Sequence, residues 1–285
     1  MGPVGPTYNR SVPELPEIEV LRRSLELRLP GRRIESVMVS NPALREPVDT
    51  RGLARAVAGR RIEGLGRRSK YLLIDLEGGE TLVVHLGMSG RLTVAPGDEP
   101  AELHEHVAFA LDNGERLRFR DPRRFGLIFA QRTDELLEDR HFAHLGPEPL
   151  DGGLTGEVLV QAARGRRGPV KSFLMDGRVV VGVGNIYACE ALHLAGVHPR
   201  RSVARIGRAR WDTLAEAVCR TLDAAIDEGG TTLNDFADGE GNSGYFQVSL
   251  EVYDREGEPC RRCGHSVRRI VQSGRGTFYC GGCQR

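Results

Sequence analysis

Between Glu17 and Leu29 the apolar residues Ile18, Leu21, Leu25 and Leu29 recur at three- and four-residue steps among arginines and glutamates. This spacing predicts an amphipathic helix that follows Pro16. The period then changes to two. Segments at 34–39, 61–65, 71–76, 81–86, 106–111, 115–119 and 125–130 are short, β-branched or alternating, and Gly or Asn-Gly turns divide them. They predict an antiparallel sandwich or barrel-like first domain. A charged helix is expected within 134–150, a stretch that closes on Gly146-Pro147-Glu148-Pro149, a natural linker because proline cannot extend a helix. Beyond it 155–163, 170–176, 185–195 and 208–228 read as helices, the last with Trp211, Leu214, Val218, Leu222 and Ala225 on one face. Gly229-Gly230 ends that helix, a polar Gly-rich loop runs from Asp238 to Gly244, and a hairpin built around cysteines closes the chain. No internal repeat is visible. The expected class is α+β: a β-sandwich domain over 13–133 with a leading helix, a linker at 134–150, a helical domain over 151–250 and a finger over 251–285.

Composition narrows the class of protein. A length of 285 residues suits roughly two domains of about 150 residues. With 40% apolar and 28% charged residues, the composition is that of a globular chain and excludes disordered and collagen-like readings. No apolar run approaches the about 18 residues of a membrane helix. The N-terminus lacks the basic-then-apolar layout of a secretory signal, and Pro6 stands where a myristoylation motif needs Ser or Thr. A cytoplasmic location is expected. The formal charge of +1 says nothing about partners, but its distribution does: from Arg255 onward there are seven arginines against two glutamates. That is a local basic patch.

Cys189 and Cys219 lie alone in helical sequence and read as core residues, whereas Cys260, Cys263, Cys280 and Cys283 form the pattern C-x2-C-x16-C-x2-C. Two such knuckles can close a tetrahedral structural zinc site. The alternative is a pair of disulfides, which sits poorly with two further lone cysteines and no secretion signal.

Five other features stand out. Pro13-Glu14-Leu15-Pro16-Glu17, taken alone, is a turn entering a helix whose early acids favour the positive end of the dipole. Lys70 opens a strand, where a lone lysine would ordinarily be solvated edge protection. His85-Leu86-Gly87-Met88-Ser89-Gly90, Asp121-Pro122-Arg123-Arg124-Phe125-Gly126 and Gly182-Val183-Gly184-Asn185-Ile186-Tyr187-Ala188 follow. The Gly182-x-Gly184 step lacks the third glycine and the strand-helix-strand setting of a dinucleotide loop. Joined by Thr277-Phe278-Tyr279-Cys280-Gly281-Gly282-Cys283-Gln284, these segments resemble, from Pro13 to Gln284, the bacterial formamidopyrimidine-DNA glycosylase and endonuclease VIII family.

The resemblance implies a helix-two-turns-helix element, a zinc finger and a definite chemistry. In that family the mature chain begins at the matching proline, whose secondary amine attacks the sugar C1′ of an oxidised nucleotide and forms an iminium. An α-amino group titrates near about 7.7–8.0, so part of it is nucleophilic at neutral pH, whereas an internal proline nitrogen is an amide. Met1 to Val12 would block Pro13. A GUG start at Val12, read as Met and then removed, or proteolysis, would expose it.

By the same resemblance Glu14 is the acid for the opening sugar or departing base, Lys70 contacts phosphate and serves β-elimination, and Arg275 serves δ-elimination as a phosphate clamp. A base must leave the duplex before C1′ can be attacked, and Met88, Arg123 and Phe125 match the family's gap-filling trio. Each of these in isolation would read as a core or surface residue. The helix starting near Asn185 would offer free backbone N–H groups to phosphate, and His104, Arg167 and Lys171 match positions that touch the DNA backbone or the damaged base. The four cysteines would hold one structural Zn2+, fixing the finger against the duplex.

Leu15 matches the formamidopyrimidine branch, which favours 8-oxoguanine and ring-opened purines, and 236–247 resembles the loop that covers the flipped base. The implied activity is a bifunctional glycosylase and abasic-site lyase acting on double-stranded DNA by β,δ-elimination, as a monomer in the nucleoid-associated cytoplasm. An oxidised-pyrimidine glycosylase is the nearest alternative. A non-catalytic zinc protein that binds DNA lesions is the other, should Pro13 be blocked.

Overall fold

The structure is a computed structural model that describes residues 13–230 and 250–285. The expected Gly-rich lid at 236–247 and the extension 1–12 lie outside the described residues. The leading helix α1 runs Leu15–Glu26, beginning two residues before the predicted start because Pro16 suits a first helical turn. Ile18, Leu21 and Leu25 are buried along one face.

Eight strands follow: β1 (Ile34–Val39), β2 (Ile62–Arg68), β3 (Tyr71–Leu76), β4 (Glu80–His85), β5 (Arg91–Pro96), β6 (Glu105–Leu111), β7 (Glu115–Arg120) and β8 (Leu127–Arg132). They form two four-stranded antiparallel sheets, ordered β1-β6-β7-β5 and β2-β3-β4-β8. The period-two reading found seven of these strands. β5 escaped it because only Leu92 and Val94 alternate inward between Gly90 and Pro96, too short a pattern to stand out.

Helix α2 (Thr50–Val57) was not anticipated either. Its apolar stripe is Leu53 and Val57 alone, and Asp49 caps it by accepting the Gly52 N–H at 2.9 Å. The charged helix expected within 134–150 is absent among the described residues and is replaced by a short 3-10 helix, Thr133–Glu138. Asp139 ends it: its backbone is extended and its carboxylate accepts the His141 N–H at 2.8 Å, offering the chain an alternative to helical bonding.

Among the described residues the α-helices of the second half are α3 (Gly156–Ala163), α4 (Val170–Leu174), α5 (Asn185–Leu194) and α6 (Arg208–Asp227), and β9 (Val267–Gln272) with β10 (Arg275–Cys280) makes the finger hairpin. Its turn is Ser273-Gly274, both with positive φ, the geometry that matches strand twist in a two-residue hairpin.

A continuous apolar core joins the halves. Leu15, Ile18, Leu21 and Leu25 of α1 belong to the same cluster as Leu72 and Ile74 of β3, Ile186 and Tyr187 of α5, and Leu214 and Leu222 of α6. Burying a side chain of this size contributes about 1.5–3 kcal/mol. α1 packs on both α6 and β2, so the residues at its start stand where the sheets meet the helical half.

Candidate active site and DNA interface

Pro13 and Glu14 are buried immediately before α1, and the Glu14 side chain faces the start of α5. The Glu14 carboxylate accepts the N–H of Gly184 at 2.8 Å and of Ile186 at 3.1 Å. Its own N–H donates to Glu17 Oε2 at 2.8 Å, and Tyr187 Oη–H donates to Glu17 Oε1 at 2.6 Å. Two helix N-termini thus meet across a pair of carboxylates, which their positive ends favour.

This contact explains the Gly182-x-Gly184 step. A Cβ on Gly184 would lie 2.2 Å from the Glu14 carboxyl, and one on Gly182, which also has φ +79°, would lie 2.4 Å from the Leu15 side chain. Burial pushes the Glu14 carboxyl above the ordinary glutamate range, opposed by the charge of Lys70 and by the two N–H donors.

Lys70 sits in the two-residue turn between β2 and β3, where Arg68 pairs with Tyr71. Its charge also acts on His85 at the end of β4, which burial first and Lys70 second bring down to about 4. His85 is therefore neutral at physiological pH. Its Nδ1 accepts the Gly87 N–H at 2.9 Å, which assigns the ring proton to Nε2 and fixes the start of the Met88 loop.

Met88 is half-buried, and Phe125 is 45% exposed with the Arg123 guanidinium 5.0 Å from its ring centre. The two loops are tied by Asp121, whose part in this is not visible from its place in the segment 121–126. Fully buried, it accepts Ser89 Oγ–H at 2.6 Å and the Gly126 N–H at 2.7 Å, and its own N–H donates to the carbonyl of His104 at 3.0 Å. A Cβ on Gly87 would strike the Phe125 carbonyl carbon at 2.4 Å, so the loops touch backbone to backbone. His104 is exposed with φ +69°. Arg167 is exposed too, its carbonyl accepting Ser202 Oγ–H at 2.8 Å.

The α5 N-terminus corrects one expectation. Its backbone N–H groups at 184 and 186 are not free for phosphate, because Glu14 occupies them. Asn185 and Lys171 are likewise engaged inside the protein. Asn185 Nδ2 donates to the Gly276 carbonyl at 3.0 Å, Asn185 Oδ1 accepts Lys171 Nζ at 2.5 Å, and Lys171 Nζ donates to Thr277 Oγ1 at 2.7 Å. Lys171 is only 1% exposed and falls below the ordinary lysine range, chiefly through burial, with the nearby Arg275 charge acting in the same direction. Together the two residues lock α4 and α5 to the finger. Arg275 itself is exposed beside the Ser273-Gly274 turn.

A second unanticipated residue is Glu190, buried in α5, whose carboxylate accepts the N–H groups of Glu251, Val252 and Tyr253 at 2.8–3.0 Å. Its signal was available: it is the one acid in a mostly apolar helix, and a buried carboxylate needs several donors.

The sulfurs of Cys260, Cys263, Cys280 and Cys283 all lie within 4.8 Å of one another, and none of the six cysteines is in a disulfide. Zn–S bonds of about 2.3 Å place tetrahedral sulfurs about 3.8 Å apart, which this cluster fits, with 3.9 Å between Cys260 and Cys283 and 3.3 Å between Cys263 and Cys280. The four thiolates hold one structural zinc. Removing it with a chelator should lower affinity for lesion duplex at least tenfold by freeing the finger; unchanged binding by metal-free protein would contradict that role.

Three family models cover most of the chain: the formamidopyrimidine-DNA glycosylase N-terminal domain over 12–128, the formamidopyrimidine-DNA glycosylase H2TH domain over 145–237, and a zinc finger found in FPG and IleRS over 257–285. A protein of Ruegeria pomeroyi named formamidopyrimidine-DNA glycosylase is 49% identical over 96% of this chain and 100% of its own length. Crystal structures of Lactococcus lactis FPG are similar at 32% identity with a TM-score of 0.87, covering at least 95% of this chain and 99% of theirs. They hold DNA containing Fapy-dG, an abasic site or an oxidised pyrimidine.

Proposed function

The chain belongs to the formamidopyrimidine-DNA glycosylase family, and from that membership we propose that it removes oxidised purines from duplex DNA in base excision repair and then cuts the strand at the abasic sugar. The observation that carries the reading is the meeting of Pro13-Glu14 with the α5 N-terminus, where a proline is followed by a buried carboxylic acid whose proton affinity is raised. As an amine, Pro13 attacks C1′ and forms the iminium as the base leaves. Glu14, adjacent in the chain, supplies the proton to the opening sugar or the departing base. Lys70 contacts phosphate and assists β-elimination, and Arg275 clamps phosphate for the second cut.

This chemistry requires that residues 1–12 be absent from the working enzyme, through a start at Val12 or through proteolysis. In support, the N-terminal family model begins at residue 12, and 96% of this chain takes in the whole of its Ruegeria relative.

Met88, Arg123 and Phe125 fill the gap left by the flipped nucleotide, with His104 and Arg167 on the backbone. Lys171 and Asn185 act first by seating the finger that carries Arg275. Replacing Met88 with Ala should slow excision from an intact lesion duplex at least tenfold while changing cleavage of a preformed abasic site less than threefold, since unstacking costs a few kcal/mol per step. Equal losses on both substrates would argue against the wedge. The working location is the cytoplasm, in association with the nucleoid, and the working form is a monomer.

The substrate class is tested with matched duplexes carrying 8-oxoguanine or thymine glycol. Single-turnover excision at least tenfold faster on 8-oxoguanine is expected, and the reverse order would favour the oxidised-pyrimidine reading.

A further inference from the structure

The geometry points to Glu148, in the linker between the sheets and the helical half, as a positioning residue that fixes Lys70 for strand cutting. This inference rests on the assignment of Lys70 given above.

The turn that carries Lys70 is not self-sufficient. Its other residue, Ser69, has φ +56°, a left-handed conformation that glycine adopts readily and serine does not. The turn is held from outside. Glu148 Oε1 accepts the Ser69 N–H at 2.7 Å and Arg68 Nη1 at 2.8 Å, and Glu148 Oε2 accepts Arg67 Nη1 at 2.7 Å. Arg67 Nη1 donates in addition to the Ser69 carbonyl at 3.0 Å. Both backbone polar groups of the strained residue are thus fastened to one carboxylate and its arginine.

The clamp reaches further in both directions. Arg67 Nε lies 3.3 Å from Glu19 Oε2 in α1, the helix that begins beside Glu14, and Arg68 Nη2 donates to the carbonyls of Leu145 and Gly146 at 3.1 and 2.6 Å. The linker is itself pinned to the helical half: Gly146 N–H donates to the Gly177 carbonyl at 2.8 Å, and Val181 N–H to the Pro147 carbonyl at 3.2 Å. Val181 immediately precedes the glycines that approach Leu15 and Glu14. The place of the Lys70 turn is therefore set by the part of the chain that presents the α5 N-terminus.

Only a carboxylate suits the centre of this cluster. It is acceptor-only and takes three donors, two of them guanidinium groups, whereas a glutamine would turn an NH2 toward one of them. The side chains of Arg67 and Glu148 are 7% and 10% exposed, so water is a poor substitute for a lost partner.

The test compares wild type with E148Q, K70A and the double variant, each beginning at Pro13, on a duplex with a preformed abasic site. Three quantities are read: kcat and KM for strand cutting, borohydride trapping at Pro13, and unfolding temperature. We expect E148Q to lower kcat about tenfold with KM and trapping within about twofold, a split that general destabilisation would not give. In the K70A background E148Q should add less than twofold, because the two residues act as a unit. A full tenfold loss in that background, or parallel losses of cutting and trapping, would overturn the inference. So would a wild-type rate in E148Q beside an impaired K70A, which would leave the Lys70 assignment standing. If K70A alone cuts at the wild-type rate, the assignment fails and the inference falls with it. Should E148Q not fold, R68Q removes one donor of the clamp, and a loss of kcat of about threefold, confined to the Lys70 background, is expected in its place.

Discussion

A chain that keeps residues 1–12 ahead of Pro13 will form no borohydride-trapped adduct with an abasic-site duplex, and the same chain trimmed to begin at Pro13 will trap it. The trimmed enzyme should be at least about a thousandfold more active in trapping and excision, a difference of about 4 kcal/mol in barrier. The cause is electronic. The nitrogen lone pair of an internal proline is delocalised into its amide and cannot add to C1′, whereas a free secondary amine with a pKa near about 7.7–8.0 is partly unprotonated at neutral pH. The finger, its four cysteines and the Met88 and Phe125 loops do not depend on that bond, so the extended chain should still bind the duplex. Equal trapping by the two forms would remove Pro13 from the mechanism.

Glu14→Gln should lower the excision rate by about 10²–10⁴-fold, the usual range for loss of a positioned acid. Glutamine can still accept one N–H from the α5 terminus, but its NH2 meets the other donor, so a stability loss of about 1–3 kcal/mol should accompany the variant. The pH profile separates the chemical effect from the structural one. Because burial raises the Glu14 pKa, its proton is retained above the ordinary glutamate range, and wild-type excision should fall as pH rises through that raised value. The Gln variant should lack this descending limb. The stability sign agrees: a carboxyl raised on folding contributes stability below its unfolded pKa that is lost as pH climbs through the folded one. A descending limb that persists unchanged in the Gln variant would assign the acid elsewhere.

Periodicity and spacing exposed much of this molecule. Seven of the eight sheet strands, the four main helices of the second half and the cysteine knuckles are local patterns, legible because alternation, helical stripes and paired thiols are each written within a few adjacent residues. What was hidden depends on residues far apart in the chain. Gly184 alone is a loop glycine, and only the fold sets Glu14 against it; Glu148 alone is linker, and only the fold brings the Lys70 turn onto its carboxylate. Lys171 and Asn185 match DNA-contacting positions, and a sequence does not show that Thr277 and Gly276 of the finger will take up their polar atoms. Asp121 was visible only as part of a motif, because a buried acid gives no periodic signal and its donors, Ser89 and Gly126, come from two separate loops.

The central claim is that the amine of Pro13 carries the chemistry, and mass spectrometry of the borohydride-reduced adduct formed by enzyme purified from its native cells tests it directly. The account predicts an N-terminal peptide that begins at Pro13 and bears the reduced sugar on its nitrogen. A peptide that still carries residues 1–12, or a sugar attached to Lys70, would contradict it.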